Sequence, residues 1–431
     1  MKQMNKLFYM LMLITTTVLG SSRVNADPSD TTTTGRSILP SDVKLILPPG
    51  FSATVFADGL GKARHISITS SGYVYVKLAS NKNGKTIVRL RDKNGDGISD
   101  EEIDFASFKG TGIMVKNGYL YASSDQEVYR FKLNADGTVL NPAQPERIIT
   151  GLLQRGEHEA KAFTLDNSGN IYVNIGAYSN SCQIVDRSAG SPGINPCPIL
   201  DSAGGIWQFR ADKLNQTYAN GTRYATGLRN VVGLDWNTAT NTLFVMQHGR
   251  DQLHTIFPAL FTDKQNAELP AECMYELHKG SNAGWPYIYY DPFQHKKILA
   301  PEYGGDGKKT GAPNAIDPVV AFPAHLAPNG LLFYTGSQFP AKYKNGAFIA
   351  FHGSWNRAPE PQEGFYVAFV PFSNGKPSGK WEIFANGFSG GTQNTASGGA
   401  LHRPCGLAQG PDGSIYVTDD VKGTVWKITY K

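Results

Sequence analysis

The sequence contains few charged residues and little cysteine. Charged residues make up 18% of its 431 residues, and only four cysteines are present. None of them stands in a CxxC or CxxCH pattern, so the sequence shows no sign of a cysteine-based zinc site or an attached haem. No GxGxxG motif opens a helix, and the sequence shows neither a Ser/His/Asp order nor a nucleophile elbow, which argues against a nicotinamide-binding domain and a serine hydrolase. The function must therefore be inferred from a wider arrangement of residues.

Long apolar runs are also absent, except at the N-terminus. There, Lys2 and Lys6 precede the run LFYMLMLITTTVLG, and the segment ends with VNA at Ala26. This pattern predicts a secretory signal over residues 1–26, and hence a periplasmic or secreted protein without a membrane span. Its removal takes away Lys2, Lys6 and Arg23 and lowers the formal net charge from +5 to +2. Such a chain offers no electrostatic case for binding nucleic acid or an anionic membrane.

Six times along the chain, a turn-forming cluster of Asn, Gly or Asp leads into a short alternating strand rich in Tyr, Val and Phe. The copies begin at Gly72, Gly118, Gly169, Asn241, Gly346 and Gly413. A recurring unit of this kind indicates a repeat architecture, because each unit buries its apolar face only against its neighbours. Four-stranded sheets arranged around a channel leave few exposed sheet edges. The sequence therefore predicts an all-β fold, a six-bladed β-propeller of four-stranded antiparallel sheets with inserted loops.

The predicted propeller domain covers residues 46–431. A polar, Thr-rich leader at residues 27–45 precedes it and is expected to be flexible. Residues 51–58 are predicted to form a strand that joins the last sheet and closes the ring. Between the fourth and fifth repeats, residues 257–327 are dense in Pro, Gly and Tyr, and we expect a long functional or partner-facing excursion there.

Export makes disulfide bonds possible. Cys182 and Cys197 bracket a loop rich in Gly, Pro and Ser, and we predict a disulfide between them. Cys273 and Cys405 then form either a second pair or two free thiols, and the sequence leaves both options open.

Residues at one end of the inner strands of a propeller converge on one open face, although they are far apart in sequence. The segment 247–250 is predicted to leave the fourth inner strand, and the other candidates enter or leave neighbouring strands. The candidates are His158, Arg229, Asn230, Gln247, His248, Gly249, Arg250, His352, Trp355, Asn356, Arg357, His402 and Arg403. Arginine is thus concentrated where the strands converge.

The segment RDKNGDGISDEE has the spacing of the first nine positions of a calcium-binding EF-hand loop. The candidate ligands are Asp92, Asn94, Asp96 and Asp100. The twelfth position is Ile103 rather than Glu, and no helical pattern flanks the loop. A structural calcium site and a plain polar hairpin are both compatible with this segment.

The order of several segments resembles the soluble quinoprotein sugar dehydrogenases, the glucose/sorbosone dehydrogenase group that uses pyrroloquinoline quinone (PQQ). The segments are LPPGF, EHEAKAF, GLRNVVGLDW, QHGRDQL, GSNAGWPY, APNGLLFY, FHGSWNR and RPCGLAQGPDGSIYVTDD. The resemblance covers roughly residues 45–431. The pairing of QHGRDQL with HGSWNR is more similar to the sorbosone/pyranose dehydrogenase branch than to the glucose enzymes.

This resemblance implies oxidation of a sugar hydroxyl by hydride transfer to the quinone, which is planar and carries three carboxylates. Arginine forks suit such carboxylates because they donate two parallel hydrogen bonds. The implied cofactor-binding residues are Arg229, Asn230, Gln247, His248, Arg250, Trp355, Arg357 and Arg403. His158 matches the catalytic base of the family, and Glu157 stands where an Asp is common.

The resemblance also implies a calcium ion that holds the quinone, with the backbone carbonyls of Gly249 and Arg250 as ligands. The implied substrate is an aldose, an aldosulose such as sorbosone, or a pyranose. Because the chain has no haem-attachment motif, electrons are expected to pass to an external acceptor, a quinone or a cytochrome.

Two other functions remain open. One is a calcium-dependent propeller lactonase, whose chemistry needs carboxylates and amides around a metal. The other is a non-catalytic glycan-binding propeller. Individual residues also have structural interpretations, with His158 as a packing histidine and Arg357 or Arg403 as ion-pair partners of Glu360 or Asp419.

Overall fold

Six antiparallel sheets, each built on four main strands, surround a central channel in the computed structural model, which describes residues 42–391 and 398–431. This arrangement confirms the predicted six-bladed β-propeller. Within the described ranges, no helix combines the length and the apolar character needed to cross a bilayer. The predicted signal segment, residues 1–26, lies outside the described residues.

The first three blades follow one another along the chain, after the opening strand β1 (Phe51–Ala57). Blade one contains β2 (Ala63–Ile68), β3 (Val74–Lys82), β4 (Lys85–Arg91) and β5 (Glu101–Phe105). Blade two contains β6 (Ile113–Lys116), β7 (Tyr119–Ser123), β8 (Val128–Lys132) and β9 (Glu146–Thr150). Blade three contains β10 (Phe163–Leu165), β11 (Asn170–Ile175), β12 (Gly205–Arg210) and, after the short β13 (Gln216–Thr217), β14 (Thr222–Thr226).

The remaining blades carry longer connections. Blade four contains β15 (Val231–Asn237), β16 (Thr242–Gln247), β17 (Ala271–Leu277) and β21 (Val320–Ala324). Three short strands lie between β17 and β21 in the chain: β18 (Ser281–Asn282), β19 (Ile288–Asp291) and β20 (Lys296–Leu299). Blade five contains β22 (Pro328–Phe333), β23 (Ala347–Phe351), β24 (Tyr366–Val370) and, after the hairpin β25 (Phe372–Ser373) and β26 (Lys376–Pro377), β27 (Glu382–Ala385). Blade six contains β28 (Pro404–Gln409), β29 (Ile415–Asp419) and β30 (Val425–Tyr430). The described helices are α1 (Leu253–Ile256), α2 (Asp263–Glu268) and 3₁₀ turns at Pro198–Asp201, Tyr218–Asn220, Pro301–Tyr303 and Ala341–Tyr343.

Strand β1 completes blade six from the other end of the propeller. It pairs antiparallel with β30, and Phe51 lies opposite Tyr430. The predicted ring closure by residues 51–58 is therefore correct. This closure ties the first strand to the last and leaves the ring without an open seam.

The repeated sequence pattern corresponds to the second strand of each blade. Gly72 and Gly169, which lead into β3 and β11, have φ angles of +92° and +78°. Glycine tolerates this left-handed conformation, so the chain can turn sharply between the inner strand and the second strand. Two strands joined in this way run antiparallel, and the start of the inner strand lies beside the end of the second.

Aromatic rings fill the space between blades five and six. Phe348 contacts Phe384 with ring centroids 4.8 Å apart, and Tyr334 stacks on Phe339 at 4.7 Å. All four side chains are fully or almost fully buried. Rings at these distances pack as in a protein core. Phe384 also contacts Phe51 of β1, in blade six, with ring centroids 5.0 Å apart, so these rings join the two blades.

Two regions differ from the expected loops. Of the predicted flexible leader, only residues 42–45 are described; there Val43 is buried, and Asp42 accepts a 2.7 Å hydrogen bond from Nε2 of His402 in front of blade six. The predicted excursion 257–327 contains β17 and β21, which are the third and fourth strands of blade four. The strands pair with β16 and with each other, so much of this region belongs to the propeller itself.

The four cysteines form one disulfide and leave two free thiols, which is one of the two outcomes that the sequence left open. Cys182 and Cys197 form the predicted disulfide. Cys273 and Cys405 are buried free thiols.

Candidate functional site

A cavity of about 330 Å³ lies at the face of the propeller where the inner strands of blades three to five begin. Its lining residues are Glu157, His158, Arg187, Arg229, His248, Gly249, Asp251, Glu272, His325, Ala327, Trp355 and Asn356. This volume is within the range of cavities that bind small molecules.

Chain topology explains why these residues meet. His158 and Arg229 precede the inner strands β10 and β15, whereas His248 follows β16, the second strand of blade four. The end of a second strand lies beside the start of its antiparallel inner neighbour, so both groups reach one face. The prediction that residues 247–250 leave the inner strand of blade four was wrong, because that inner strand is β15.

His158 presents a neutral imidazole with a free nitrogen. Its Nδ1 contacts the carbonyl oxygen of Ala177, and because a carbonyl only accepts, Nδ1 carries the proton. In the described part of the chain, no group forms a hydrogen bond with Nε2. Burial, followed by the positive charge of Arg229, lowers the pKa of His158 to about 3. A Cβ on Gly176 would lie 2.5 Å from Cβ of His158, so a glycine is needed for this close approach.

Two further histidines in the lining are neutral as well. Nε2 of His248 lies 3.3 Å from the carbonyl oxygen of Pro328 and donates to it. Burial, followed by Arg229, lowers the pKa of His248 to about 3. Nε2 of His325 donates to the carbonyl of Asn266 at 2.8 Å, and burial lowers the pKa of His325 too. All three rings therefore add hydrogen-bonding capacity to the cavity without adding charge.

Arg229 is held by three acceptors, two of which belong to the cavity wall. Its Nη2 pairs with Oδ2 of Asp251 at 2.7 Å, Nη1 donates to the carbonyl of Gly249 at 2.8 Å, and Nε donates to the carbonyl of Asn180 at 3.2 Å. Burial by itself raises the pKa of Asp251, but the positive charge of Arg229 outweighs it and holds this pKa at about 2. Asp251 is therefore ionised at any physiological pH.

Arg187 is the second cation in the lining, and it is paired as well. Its Nε lies 3.3 Å from Oε1 of Glu157, and its Nη1 lies 3.4 Å from Oδ2 of Asp251. Nη1 also donates to Oε1 of Gln252 at 2.9 Å. The second carboxylate oxygen of Glu157, Oε2, is buried without a hydrogen-bond partner. The cavity thus offers a free acceptor beside His158.

Glu272 is a buried carboxyl group at the same cavity. It accepts N–H bonds from Gly249 at 2.9 Å and from Ala327 at 3.4 Å. Burial raises its pKa to about 8, although the two backbone N–H groups oppose this shift. At neutral pH, Glu272 is therefore mostly protonated when the cavity is considered alone.

Trp355 and Asn356 form the remaining wall. The Trp355 side chain is exposed, at 53%, whereas the amide of Asn356 donates to Oδ1 of Asp251 at 2.8 Å. Oδ1 of Asn356 is buried without a partner. The wall therefore combines an accessible aromatic face with a second free acceptor.

Several lining residues adopt a left-handed backbone conformation. The φ angles are +50° for His158, +54° for Arg187, +63° for His325 and +55° for Ala327. None of these is a glycine, so each conformation is unfavourable in isolation and must be held by its surroundings. Such residues cluster at functional sites more often than elsewhere.

Five of the predicted cofactor-binding residues do not line this cavity, namely Asn230, Gln247, Arg250, Arg357 and Arg403. Oδ1 of Asn230 accepts a hydrogen bond from Asn174 at 3.2 Å, and Oε1 of Gln247 is buried without a partner. Arg250 forms an ion pair with Glu302, and the two side chains are only 3% and 0% exposed. The donors of Arg250 are thus engaged within the protein.

Arg357 lies outside the cavity and ties loops together. Its Nε donates to the carbonyl of Pro361 at 2.9 Å, Nη1 donates to the carbonyl of Ala267, and Nη2 pairs with Glu363 at 3.3 Å. These contacts agree with the structural interpretation of Arg357 as an ion-pair partner, although the partner is Glu363 rather than Glu360.

Arg403 holds the segment that precedes Trp355. Its Nε donates to the carbonyl of His352 at 3.0 Å, Nη2 donates to the carbonyl of Gly353, and its backbone N–H donates to Asp419 at 2.7 Å. Of the four arginines implied to bind the cofactor, Arg229 lines the 330 Å³ cavity, whereas Arg250, Arg357 and Arg403 do not.

A further arginine, Arg64, lies beside Arg403. Its Nη1 pairs with Oδ2 of Asp420 at 2.7 Å, while its Nε is buried without a partner. Oδ1 of Asp420 accepts a 2.7 Å hydrogen bond from His352, which links Arg64 to the segment held by Arg403. Nη2 of Arg403 also lies 3.3 Å from the carbonyl oxygen of Ser354, directly before the lining residue Trp355. Arg403 therefore adjoins the cavity wall, and Arg64 is linked to it through Asp420 and His352.

The candidate calcium loop folds around its own polar groups. Oδ2 of Asp92 accepts the N–H of Gly97 at 2.9 Å, and the amide of Asn94 lies 3.0 Å from Asp96 and 3.4 Å from Asp100. Among the residues that the structure covers, no group of three or more His, Cys, Asp or Glu side chains is arranged to hold a metal. These contacts are compatible with the polar hairpin and with the calcium site.

The sequence reasoning missed several lining residues. They are Arg187, Asp251, Glu272, His325 and Ala327. Asp251 lies within QHGRDQL, so that segment was itself a usable signal. Glu272 and His325 lie in the region predicted to be an excursion, where no repeat pattern marks them.

Comparison with known proteins gives a family match. A model described as TrAA12-like matches residues 45–431. The PQQ-dependent pyranose dehydrogenase of Coprinopsis cinerea is 27% identical over 280 residues, which cover 56% of this chain and 37% of that protein. The chain thus aligns with well under half the length of this relative.

Two solved structures share the fold. The holo PQQ domain of the Coprinopsis cinerea pyranose dehydrogenase has a TM-score of 0.70 at 20% identity, covering 90% of this chain and 97% of that chain. The calcium structure of the Trichoderma reesei Carbohydrate-Active Enzymes Family AA12 protein has a TM-score of 0.72 at 19% identity, with coverage of 90% and 97%. At these identities, the likeness concerns the architecture.

Proposed function

The chain belongs to the TrAA12-like family, and from this premise we propose that it is an exported dehydrogenase that oxidises a hydroxyl group of an aldose, aldosulose or pyranose with PQQ as its cofactor. The observation that carries the proposal is the free Nε2 of neutral His158, next to Arg229 in a cavity of about 330 Å³. The PQQ-dependent relative supports the choice of cofactor and of substrate class.

His158 is the proposed catalytic base. Its Nε2 takes the proton of the sugar hydroxyl, so the C–O bond becomes a carbonyl as the C–H electron pair leaves as hydride. When bound, the quinone supplies the acceptor for this hydride, and an external acceptor later removes the two electrons. The Nδ1–H bond to Ala177 fixes the ring and stabilises its protonated form. An anionic ligand raises the pKa of His158, because it offsets the charge of Arg229.

The residues around the cavity fit a planar, polyanionic cofactor. The volume is sufficient for a small molecule, and the orphaned Nε of Arg64 is a donor without a partner. We infer that Arg229, Arg64 and Arg403 bind carboxylates or quinone oxygens, because guanidinium groups make charge-assisted bonds to such oxygens. His248 is proposed to form a hydrogen bond with the cofactor as a neutral group, and Trp355 is proposed to contact the ring of the cofactor.

In this proposal, the other candidates from the sequence do not contact the cofactor directly but support the residues that line the cavity. Arg250 and Arg357 have donors engaged with Glu302, Glu363 and backbone carbonyls. Asn230 and Gln247 are next in sequence to the lining residues Arg229 and His248. Oδ1 of Asn230 would have to leave Asn174 to accept from a ligand.

Calcium is proposed to bind at the carbonyls of Gly249 and Arg250. The carboxylate of Asp251 and the carboxyl group of Glu272 line the same cavity, and hard oxygen ligands of this kind suit calcium once they are ionised. The carbonyl of Gly249 accepts a 2.8 Å hydrogen bond from Arg229. A calcium ion at this carbonyl would use its second lone pair, and repulsion between the two cations would favour a ligand carboxylate as a new acceptor for Nη1 of Arg229.

The sugar is proposed to lie against Trp355. Its hydroxyl groups can donate to the two buried acceptors that lack partners, Oε2 of Glu157 and Oδ1 of Asn356. An unsatisfied buried acceptor is costly, so a donor from the substrate is favourable there. These two acceptors share the cavity lining with His158, which supports a hydroxylated substrate at this site.

Export is proposed from the signal pattern, and the disulfide between Cys182 and Cys197 fits an oxidising compartment. N-terminal sequencing of the mature protein tests this, with Asp27 expected as the first residue. The electron acceptor is proposed to be a separate quinone or cytochrome.

One observation favours a second candidate, the calcium-dependent lactonase. Three carboxyl groups, those of Glu157, Asp251 and Glu272, line the cavity together. Lactone hydrolysis with calcium and without quinone would favour this function.

The deciding experiment is a titration of the purified apo-protein with PQQ, with and without calcium, followed by absorbance. We expect a saturable spectral change and sugar-dependent dye reduction only after PQQ is added. Sugar binding without any response to PQQ would instead indicate a glycan-binding propeller.

A further inference from the structure

Asn180 is fully buried, at 0% exposure, and does not line the cavity. It follows β11 in the loop that leads to the disulfide at Cys182. Its side-chain amide bonds to both backbone groups of one residue: Nδ2 donates to the carbonyl of Asp251 at 3.0 Å, and Oδ1 accepts the N–H of Asp251 at 2.9 Å. Such a two-point contact fixes the backbone of Asp251 in position and orientation.

The backbone carbonyl of Asn180 holds the partner of Asp251. It accepts hydrogen bonds from Nε of Arg229 at 3.2 Å and from the indole N–H of Trp285 at 3.0 Å. A single residue therefore fixes the backbone of Asp251 and the guanidinium of Arg229, whose side chains meet in the cavity wall.

We propose that Asn180 is a positioning residue that sets the Arg229–Asp251 pair for ligand binding. The identification of this ligand as PQQ rests on the proposed function. An amide is suited to this task because it offers a donor and an acceptor side by side, whereas a carboxylate offers acceptors alone and alanine offers neither. Groups that bind a ligand work best when a supporting layer holds them before the ligand arrives.

A purely structural role for Asn180 is the competing explanation. Its N–H donates to Oδ1 of Asp186 at 3.1 Å, so it also helps to fold the disulfide loop. Loss of this role alone lowers the melting temperature without changing ligand affinity in the folded protein. The two roles therefore differ in their effect on binding.

The test compares Asn180→Asp and Asn180→Ala with the wild type. Asn180→Asp keeps the acceptor for the N–H of Asp251. It also places a carboxylate oxygen against the carbonyl of Asp251, which in the wild type lies 3.0 Å from Nδ2 of Asn180. Asn180→Ala removes both contacts without burying a charge. The matched control is Asn237→Asp, at a buried asparagine that ends β15 away from the cavity and accepts the N–H of Ala239.

The primary measurement is the dissociation constant for PQQ, from absorbance titration in the presence of calcium, together with KM and kcat for a sugar. We expect both Asn180 variants to raise the dissociation constant by about tenfold to a hundredfold, the range for residues that orient a ligand-binding side chain. The control should remain within about twofold. Dissociation constants near that of the wild type, with only a lower melting temperature, overturn the proposal, and so does a failure of both variants to fold.

A crystal structure of Asn180→Asp without cofactor separates this inference from the proposed function. We expect Arg229 to leave Asp251 in that structure, and an unchanged pair overturns the proposal. If the wild type shows no response to PQQ, the proposed function fails, whereas the placement of Arg229 in this structure still decides the role of Asn180.

Discussion

Arg229 and Asp251 form an ion pair in the wall of the cavity, with 2.7 Å between Nη2 and Oδ2 and side-chain exposures of 4% and 12%. Oδ2 of Asp251 also lies 3.4 Å from Nη1 of Arg187, and Oδ1 accepts a 2.8 Å hydrogen bond from the amide of Asn356. Because one carboxylate holds two cations and an amide, removal of its charge leaves several buried donors without a partner. Such losses are expensive in a buried setting.

The first prediction concerns the pH dependence of stability. The pKa of Asp251 is lowered from 3.8 to about 2 in the folded protein. A carboxyl group with a lowered pKa contributes its full stabilisation above the unfolded value and loses it as the pH falls through the folded value. Below pH 3.8, therefore, this contribution declines, and it is gone below about 2. A shift of this size corresponds to about 2 kcal/mol.

Thermal unfolding of the wild type and of Asp251→Asn between about pH 5 and about pH 2 measures this contribution. We expect the variant to be less stable by about 3 kcal/mol at the upper pH and to lose less stability on acidification. Asp42 and Asp420, whose pKa values are also lowered, titrate equally in both proteins. Parallel stability curves for the two proteins would contradict the assigned role of Asp251.

The second prediction concerns His158. In His158→Ala, we expect the absorbance change on adding PQQ to remain, because Arg229, Arg64 and Arg403 are unchanged. Turnover should fall by about a hundredfold to ten-thousandfold, the usual contribution of a general base. His278→Ala, at a side chain that is 66% exposed, serves as the control and should be fully active. Retained turnover in His158→Ala excludes this residue as the base.

The fold was predictable where a local signal repeats. The turn before each second strand needs Asn, Gly or Asp, and the strand that follows alternates toward its neighbours, so six copies were visible. Strands β17 and β21 were not predicted, because AECMYEL and VAFPA stand alone without the turn cluster. Their place in blade four is fixed by pairing with β16 and with each other, which is a long-range property.

The site was predictable in part for the same reason. His158, Arg229, His248 and Trp355 stand at strand ends, and the propeller geometry brings them to one cavity. The role of Arg357 was not predictable, because its partners are carbonyls of distant loops that no side-chain pattern identifies. A buried guanidinium is recognised as a ligand residue or as a loop tie only when its acceptors are known.

The third prediction separates Arg64 from Arg357. Arg64 has a buried Nε without a partner, whereas Arg357 is bonded to carbonyls and Glu363. We expect Arg64→Met to weaken PQQ binding by about tenfold or more, the loss of one hydrogen bond to a charged group. Arg357→Met should lower the melting temperature and leave PQQ affinity within about twofold. Absorbance titration of both variants checks this, and the reverse ranking would restore Arg357 as the carboxylate ligand.

The fourth prediction concerns the loop at residues 92–100. If its oxygen atoms bind calcium, added calcium at about 100 times the dissociation constant raises the free energy of unfolding by about 2.7 kcal/mol. Asp96→Ala should abolish this stabilisation, because Asp96 faces Asn94 at 3.0 Å in the candidate ligand set. The control is Asp136→Ala, in another hairpin turn where Asp136 accepts the N–H of Thr138. Calcium-dependent melting of apo-protein, in which no quinone holds an ion at Gly249, provides the measurement. An equal response to calcium in the wild type and in Asp96→Ala assigns the loop to the polar hairpin.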